Sequence, residues 1–352
     1  MSTHFSLSRF TPLFALVTIV PLAGQTAGQT NATPASKRQS SIQNAAHGSA
    51  TSRTPDGQPD LQGVWMNTWA APFERPKELA GRQNLTDAEV EEFRKRAKRL
   101  FKDQNSDLPV GDNLFLAVLA NPEIWKNPTG SVESADELLD RDFDNRTSIV
   151  IDPPDGRIPP LTDAGQQRVA DFRAMRFGVR APTGPKDLLP EQRCITYGVP
   201  RIGIYGTVPE GYHQIIQSPG YVVILMSGIH DARIVPLDGR PHLPQSMRTW
   251  NGDSRGRWEG KTLVVDTANF SPESYFMGST EGLHLVERFT RVSPGEIDYV
   301  VRVDDPATWT KPWTARIRLM KLQERIIEYA CHEGNYSMED MLAAAAKERG
   351  AK

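Results

Sequence analysis

The run LHLVERFTRVSPGEIDYVVRV, residues 283–303, decides the fold class. On either side of Ser293, Pro294 and Gly295, apolar and polar side chains alternate with the period of two that a strand imposes. Leu283, Leu285, Glu287 and Phe289 share one face, and His284 and Arg288 take the other. A tight turn between two such runs reads as a β-hairpin.

The same pattern extends outward in both directions. Segments 213–217, 221–227, 232–237, 262–267, 314–320 and 325–331 read as strands, separated by turns such as Ser218-Pro219-Gly220 and Glu259-Gly260-Lys261. Asp60-Leu61-Gln62-Gly63-Val64-Trp65 is expected as the first strand, opening after the turn Pro55-Asp56-Gly57. Short strands at regular spacing predict a mainly β fold, an antiparallel meander closing into a barrel.

Residues 56–352 are therefore expected to form a single β-barrel-like domain. It carries a helical, proline-rich insertion at about 75–190, read as a wrap over the sheet with no core of its own. Within it, Thr86-Asp87-Ala88-Glu89 is a capping box opening a helix through about Phe101, with Val90, Phe93, Ala97 and Leu100 in one stripe. Arg94, Lys95, Arg96, Lys98 and Arg99 then fall on its wet face. A second helix is expected to begin at Thr162 and cover 166–177, and an alanine-rich one closes the chain at about 338–349.

Ahead of the domain, Arg9 and the apolar run FTPLFALVTIVPL (10–22) precede small residues at Ala23, Gly24, Ala27 and Gly28. This reads as a secretory signal over 1–28, followed by a polar linker over 29–55. The run falls short of the roughly 20 residues of a membrane span, so no span is expected after processing. The predicted location is periplasmic or secreted, and in such an oxidising compartment Cys194 and Cys331 are expected to pair as a disulfide. With 41 basic and 43 acidic side chains, the net charge of −2 gives no reason to expect nucleic acid as partner.

Gly63-Val64-Trp65 at the head of a meander is similar to the Gly-x-Trp opening of lipocalin-like (calycin) barrels, a resemblance that implies a tryptophan closing the barrel floor. A broader resemblance runs through DLQGVW (60–65), IDPPDGRIPPLT (151–162), IHDARIVPLDGRPHLP (229–244), GDSRGRWEGKTLVVDT (252–267) and YACHEGNY (329–336). In these segments the chain resembles a family of exported bacterial proteins. That resemblance implies export, and no chemistry.

Three constellations could carry chemistry. The densest polar block spans 229–257, with His230, Asp231, Arg233, Asp238, Arg240, His242, Asp253, Ser254, Arg255 and Arg257 around glycine-rich bends. Gly252-Asp253-Ser254-Arg255-Gly256 is read there as a loop. The second block is Cys331-His332-Glu333-Gly334-Asn335-Tyr336, steadied by the expected disulfide. The third is Glu287, a carboxylate on an apolar face, and Glu328 between Ile326 and Ala330 repeats the pattern. Each has a structural counter-reading in arginine–carboxylate pairs and turn caps.

Two functions follow. One is a cofactor-free acid–base enzyme (lyase, isomerase or hydrolase) acting on a small, partly apolar substrate in a barrel pocket. His230, Glu287, His332 and Asp253 would then move protons, while Arg233, Arg255, Glu333, Tyr336 and Trp258 hold substrate. The other is a non-catalytic protein that binds a small ligand with the same residues. No spacing of zinc-motif type, P-loop, G-x-G-x-x-G or G-x-S-x-G is present, so no metal or other cofactor is expected.

Overall fold

The computed structural model describes residues 52–102, 112–120, 142–176, 181–202, 212–323, 325–326 and 328–350. The expected signal and nearly all of the linker lie outside these residues. Among the described residues, ten strands share one sheet: β1 (Gly63–Asn67), β2 (Val150–Asp152), β3 (His213–Ser218), β4 (Tyr221–Met226), β5 (Ala232–Pro236), β6 (Asp253–Glu259), β7 (Thr262–Ala268), β8 (His284–Ser293), β9 (Glu296–Asp304) and β10 (Trp313–Leu322). Nine follow the order β5-β4-β3-β1-β10-β9-β8-β7-β6, and the short β2 adds to β10 off this path. Every pairing is antiparallel. The protein is a mainly β fold built on a nearly closed, barrel-like sheet.

Strand parity fixes what faces inward. Leu285, Glu287 and Phe289 of β8 alternate with more exposed neighbours. Across the ladder, Glu287 lies opposite Val265 on one side and Val301 on the other. Ile297, Tyr299, Val301, Ala315, Ile317 and Leu319 complete that side of the core. Both ends of the barrel are filled. At the end where β8 turns into β9, Trp65 is fully buried, its Nε1 donates to the Leu61 carbonyl at 2.8 Å, and Arg291 and Lys321 lie over its ring. At the other end Trp313 packs against Phe73, Phe276 and Trp309.

The two ends of the strand path, β5 and β6, come together by a different means. Nine strands joined by antiparallel steps leave the first and last pointing the same way, so β5 and β6 cannot close the ring as one more antiparallel pair. Side chains join them instead. A Cβ on Gly256 would stand 2.6 Å from Leu237 and 2.7 Å from Val235, so Val235 of β5 and Leu237 just after it lie directly on the bare β6 backbone. Deeper in, Arg233 of β5 crosses the gap to β6, β7 and β8.

Four α-helices among the described residues lie outside the sheet: α1 (Asp87–Lys102), α2 (Asp112–Ala120), α3 (Asp163–Arg176) and α4 (Tyr336–Gly350). The capping box of α1 forms, with the Glu89 N–H donating to Thr86 Oγ1 at 3.3 Å and the Thr86 N–H to Glu89 Oε2 at 2.8 Å. Its basic residues sit among carboxylates, Arg94 with Glu91 and Asp142, Arg96 and Arg99 with Glu92. The wrap does have a small core, contrary to expectation. Val90, Phe93 and Ala97 of α1 pack on Leu114, Phe115 and Val118 of α2 and on Phe143. The α2 segment is almost uniformly apolar, which hides its helical period.

Two other expectations change. Residues 325–331 form no strand where described. Both edges of β10 are already paired, and Cys331 is bonded to Cys194, so the chain leaves the sheet there. The segment 252–256, expected as a loop, mostly belongs to β6, which begins at Asp253.

Candidate functional site at the β5–β6 seam

The lumen expected to hold a ligand is packed. A cavity lined by His213, Arg233, Glu287, Phe289, Tyr299 and Leu319 leaves ≈ 10 Å³ to the centres of water-sized spheres, room for about one water. Its centre is an ion pair. Arg233 donates to both oxygens of Glu287, at 3.1 Å to Oε1 and more closely to Oε2, and both residues are buried. The Tyr299 hydroxyl donates to Glu287 Oε1 at 2.8 Å, and Arg233 Nη2 reaches Thr267 Oγ1 at 3.3 Å and Ser254 Oγ at 3.4 Å. Burial and the adjacent Glu287 charge push the Tyr299 phenol well above its ordinary pKa. Trp65, Trp69, Trp309 and Trp313 are fully buried in packing.

A larger cleft opens on the seam. It measures ≈ 340 Å³ and is lined by the start of β5 (Asp231, Ala232, Arg233, Ile234), the start of β6 (Gly252, Asp253, Ser254), the turn Thr249-Trp250-Asn251 and Ile195. Asp231 is its best-placed ionisable group. Its Oδ2 accepts the Thr196 hydroxyl at 2.5 Å, and Asn251 Oδ1 lies 2.9 Å from that hydroxyl. Burial raises the Asp231 pKa, and hydrogen bonds from Thr196, Asn251 and the Tyr197 backbone with the Arg201 charge offset only part of this. Thr196 is delivered to the seam by the segment that the Cys194–Cys331 disulfide anchors. The Arg193 guanidinium lies 5.5 Å from the centre of the Trp250 ring.

Of the residues singled out from sequence, Asp231, Arg233, Asp253 and Ser254 line this cleft. Asp253 faces away from the lumen, because its neighbour Ser254 points inward at Arg233, so Asp253 and Glu287 lie on opposite faces of the sheet. Asp253 is buried and tied down: Arg255 Nη1 donates to Oδ1 at 2.6 Å, and His242 Nδ1 and the Leu243 N–H lie 3.0 and 2.9 Å from Oδ2. Arg255 also donates to the Pro241 carbonyl at 2.9 Å. Trp258 is half-buried against the core. His332 and Glu333 lie in the turn after Cys331 and are not among the residues that line the cleft, and Tyr336 is exposed at the start of α4. The backbone of His230 ends a 3-10 turn, Gly228–His230, and its side chain lies outside the described atoms.

A second polar cluster lies on the outer face. His242 Nε2 is 2.9 Å from Asp266 Oδ1, and His284 Nε2 is 3.0 Å from the same oxygen. Burial pushes Asp266 up, but hydrogen bonds from His284 and His242 outweigh it and leave the pKa lowered. The Asp266 partner raises that of His284. Among the described residues, no group of three or more His, Cys, Asp or Glu side chains is arranged to hold a metal ion.

Thr196, Trp250 and Asn251 are site residues that sequence reading does not single out. No local signal marks them, since tertiary folding alone brings 196 beside 231 and 251. Compared with protein-family models and with curated proteins, the chain matches none.

Proposed function

We propose that this is an exported protein that binds a small, partly apolar molecule in the cleft at the β5–β6 seam. The observation that carries this reading is the contrast between a packed lumen and a ≈ 340 Å³ seam cleft, whose walls combine Trp250, Ile195 and Ile234 with the hydrogen-bonding side chains of Asp231 and Asn251. Ligand sites pair apolar contact surface with a few placed polar groups, and this cleft offers both, with polar groups making up the larger share of its wall. Export is supported by the apolar run 10–22 and by a disulfide between the chain's two cysteines.

Binding is favoured over turnover because, of the groups assigned to proton transfer, Glu287 and Asp253 are held in ion pairs and His332 is not among the residues that line the cleft. Acid–base chemistry is supported at one residue, Asp231, whose raised pKa would suit a proton donor. A thermal-shift screen of the mature protein against small-molecule libraries tests the binding reading. Hits should perturb Trp250 fluorescence and lose effect in Trp250→Ala. Hits that act equally on that variant would place binding elsewhere. N-terminal sequencing of protein recovered from outside the cytoplasm should start between about residues 23 and 30; an intact Met1 would remove the export claim.

A further inference from the structure

Three charged side chains line the seam cleft: Asp231, Arg233 and Asp253. Two of them are already neutralised. Arg233 is held bidentately by Glu287, and Asp253 by Arg255 with His242 alongside. Arg233 and Arg255, expected to hold substrate, are therefore engaged with the protein's own carboxylates. Asp231 differs. Its hydrogen-bond partners are a hydroxyl, an amide side chain and a backbone N–H, and Arg201 acts on it only as the weakest of its influences.

Resting on the binding reading above, we infer that the ligand carries a protonated amine, with its ammonium on Asp231 and its apolar portion against Trp250, Ile195 and Ile234. The chemistry favours a cation over other donors. A half-buried carboxylate hydrogen-bonded only by neutral groups keeps part of its desolvation penalty despite the charge of Arg201, and an ammonium supplies both donors and a direct counter-charge. An anion would instead meet Asp231 and Asp253, with the guanidinium groups of Arg233 and Arg255 committed to Glu287 and Asp253. The raised pKa of Asp231 in the free protein agrees with this, because it registers the same uncompensated burial. Arg193, which lies over one side of the Trp250 ring, pairs with Glu273 at 3.6 Å, so the charge there is balanced within the protein.

Three isosteric probes, benzylamine, benzyl alcohol and benzoate, test this on the full mature chain, by amide-shift titration at pH 7 and by Trp250 fluorescence. Benzylamine should bind at least about tenfold more tightly than benzyl alcohol, the scale of one charge-assisted hydrogen bond, and benzoate more weakly than either. In Asp231→Asn the amine's advantage over the alcohol should disappear. The ranking of the probes on the unmodified protein stands even if that variant folds poorly. If benzyl alcohol or benzoate perturbs the cleft as strongly as benzylamine, the amine inference falls while the cleft remains a binding site. If none of the three perturbs residues around 231 and 250, the binding reading falls with it.

Discussion

Arg233 and Glu287 show what a single residue contributes here and how far sequence can reveal it. The alternation in 283–289 is enough to put Glu287 on the apolar, inward face of its strand. It cannot name the partner, because Arg233 is 54 residues away in the chain and joins Glu287 only when the two ends of the sheet meet. A buried ion pair is not necessarily stabilising against an apolar pair, but breaking one half of it is strongly destabilising. Glu287→Gln leaves the Arg233 guanidinium buried without its counter-charge and should destabilise the fold by about 3–5 kcal/mol. The change should appear as a lower denaturant midpoint at an unchanged slope. Arg233→Met with Glu287→Leu should recover most of the loss. A Glu287→Gln protein as stable as the parent would show that the pair does not hold the barrel together.

At the scale of elements, legibility follows the strength of local signals. The α1 helix is readable because a capping box and an amphipathic stripe agree on it. The start of β6 is not, because Gly252 and Gly256 read as bends when one of them instead makes room for a neighbouring strand. The stretch 325–331 alternates like a strand, yet no sheet edge is free beside β10. The segment between β5 and β6 reads as a polar loop, and the structure shows what holds it: His242 bonds to Asp253 of β6 and to Asp266 of β7, and His284 of β8 shares Asp266. This network makes stability depend on pH. His284 has a raised folded pKa, helped by Asp266 and Asp304 and opposed by burial and Arg302, so its contribution is complete below the ordinary 6.5 and is lost as pH rises through the raised value. Asp266 has a lowered folded pKa, so its contribution is complete above 3.8 and is lost as pH falls through the lowered value. Melting temperature against pH should therefore be highest between these limits, and His284→Asn should flatten the alkaline limb. An alkaline limb unchanged in that variant would rule out His284 as its source.

On the scale of the whole molecule, the meander is legible in the sequence and its closure is not. Alternation and turns give the strands and their antiparallel neighbours, but the odd number of strands on the path emerges only from the complete pairing, as does the meeting of β5 and β6. Two devices hold the assembled chain. The Cys194–Cys331 bridge joins residues 137 apart with Cα atoms at 5.8 Å, and Asn335 Nδ2 donates to the Gln192 carbonyl at 2.8 Å beside it. For a loop of that length the chain-entropy model gives about 4–5 kcal/mol, so reduction or Cys194→Ala with Cys331→Ala should lower the melting temperature markedly. Equal melts with and without reductant would refute this. The second device is Gly256, and it tests how the seam closes. Its backbone is buried on the inner face of β6, with Leu237 and Val235 of the opposing edge already where a side chain would begin. Because β5 and β6 cannot join as another antiparallel pair, this contact and the Arg233 crossing are what bring the edges together. Gly256→Ala should force a small retreat of flexible Leu237 and cost about 1 kcal/mol, whereas the bulkier Gly256→Val should cost about 1–3 kcal/mol or more by overpacking. The loss should also be local. Amides of 232–235 and 253–258 should gain hydrogen exchange in the valine variant, while those of β8 and β9 keep their protection, because these strands are paired on both sides. If Gly256→Val folds with parental stability and leaves exchange at 232–235 unchanged, the two edges are held together by something other than side chains packed on a bare backbone.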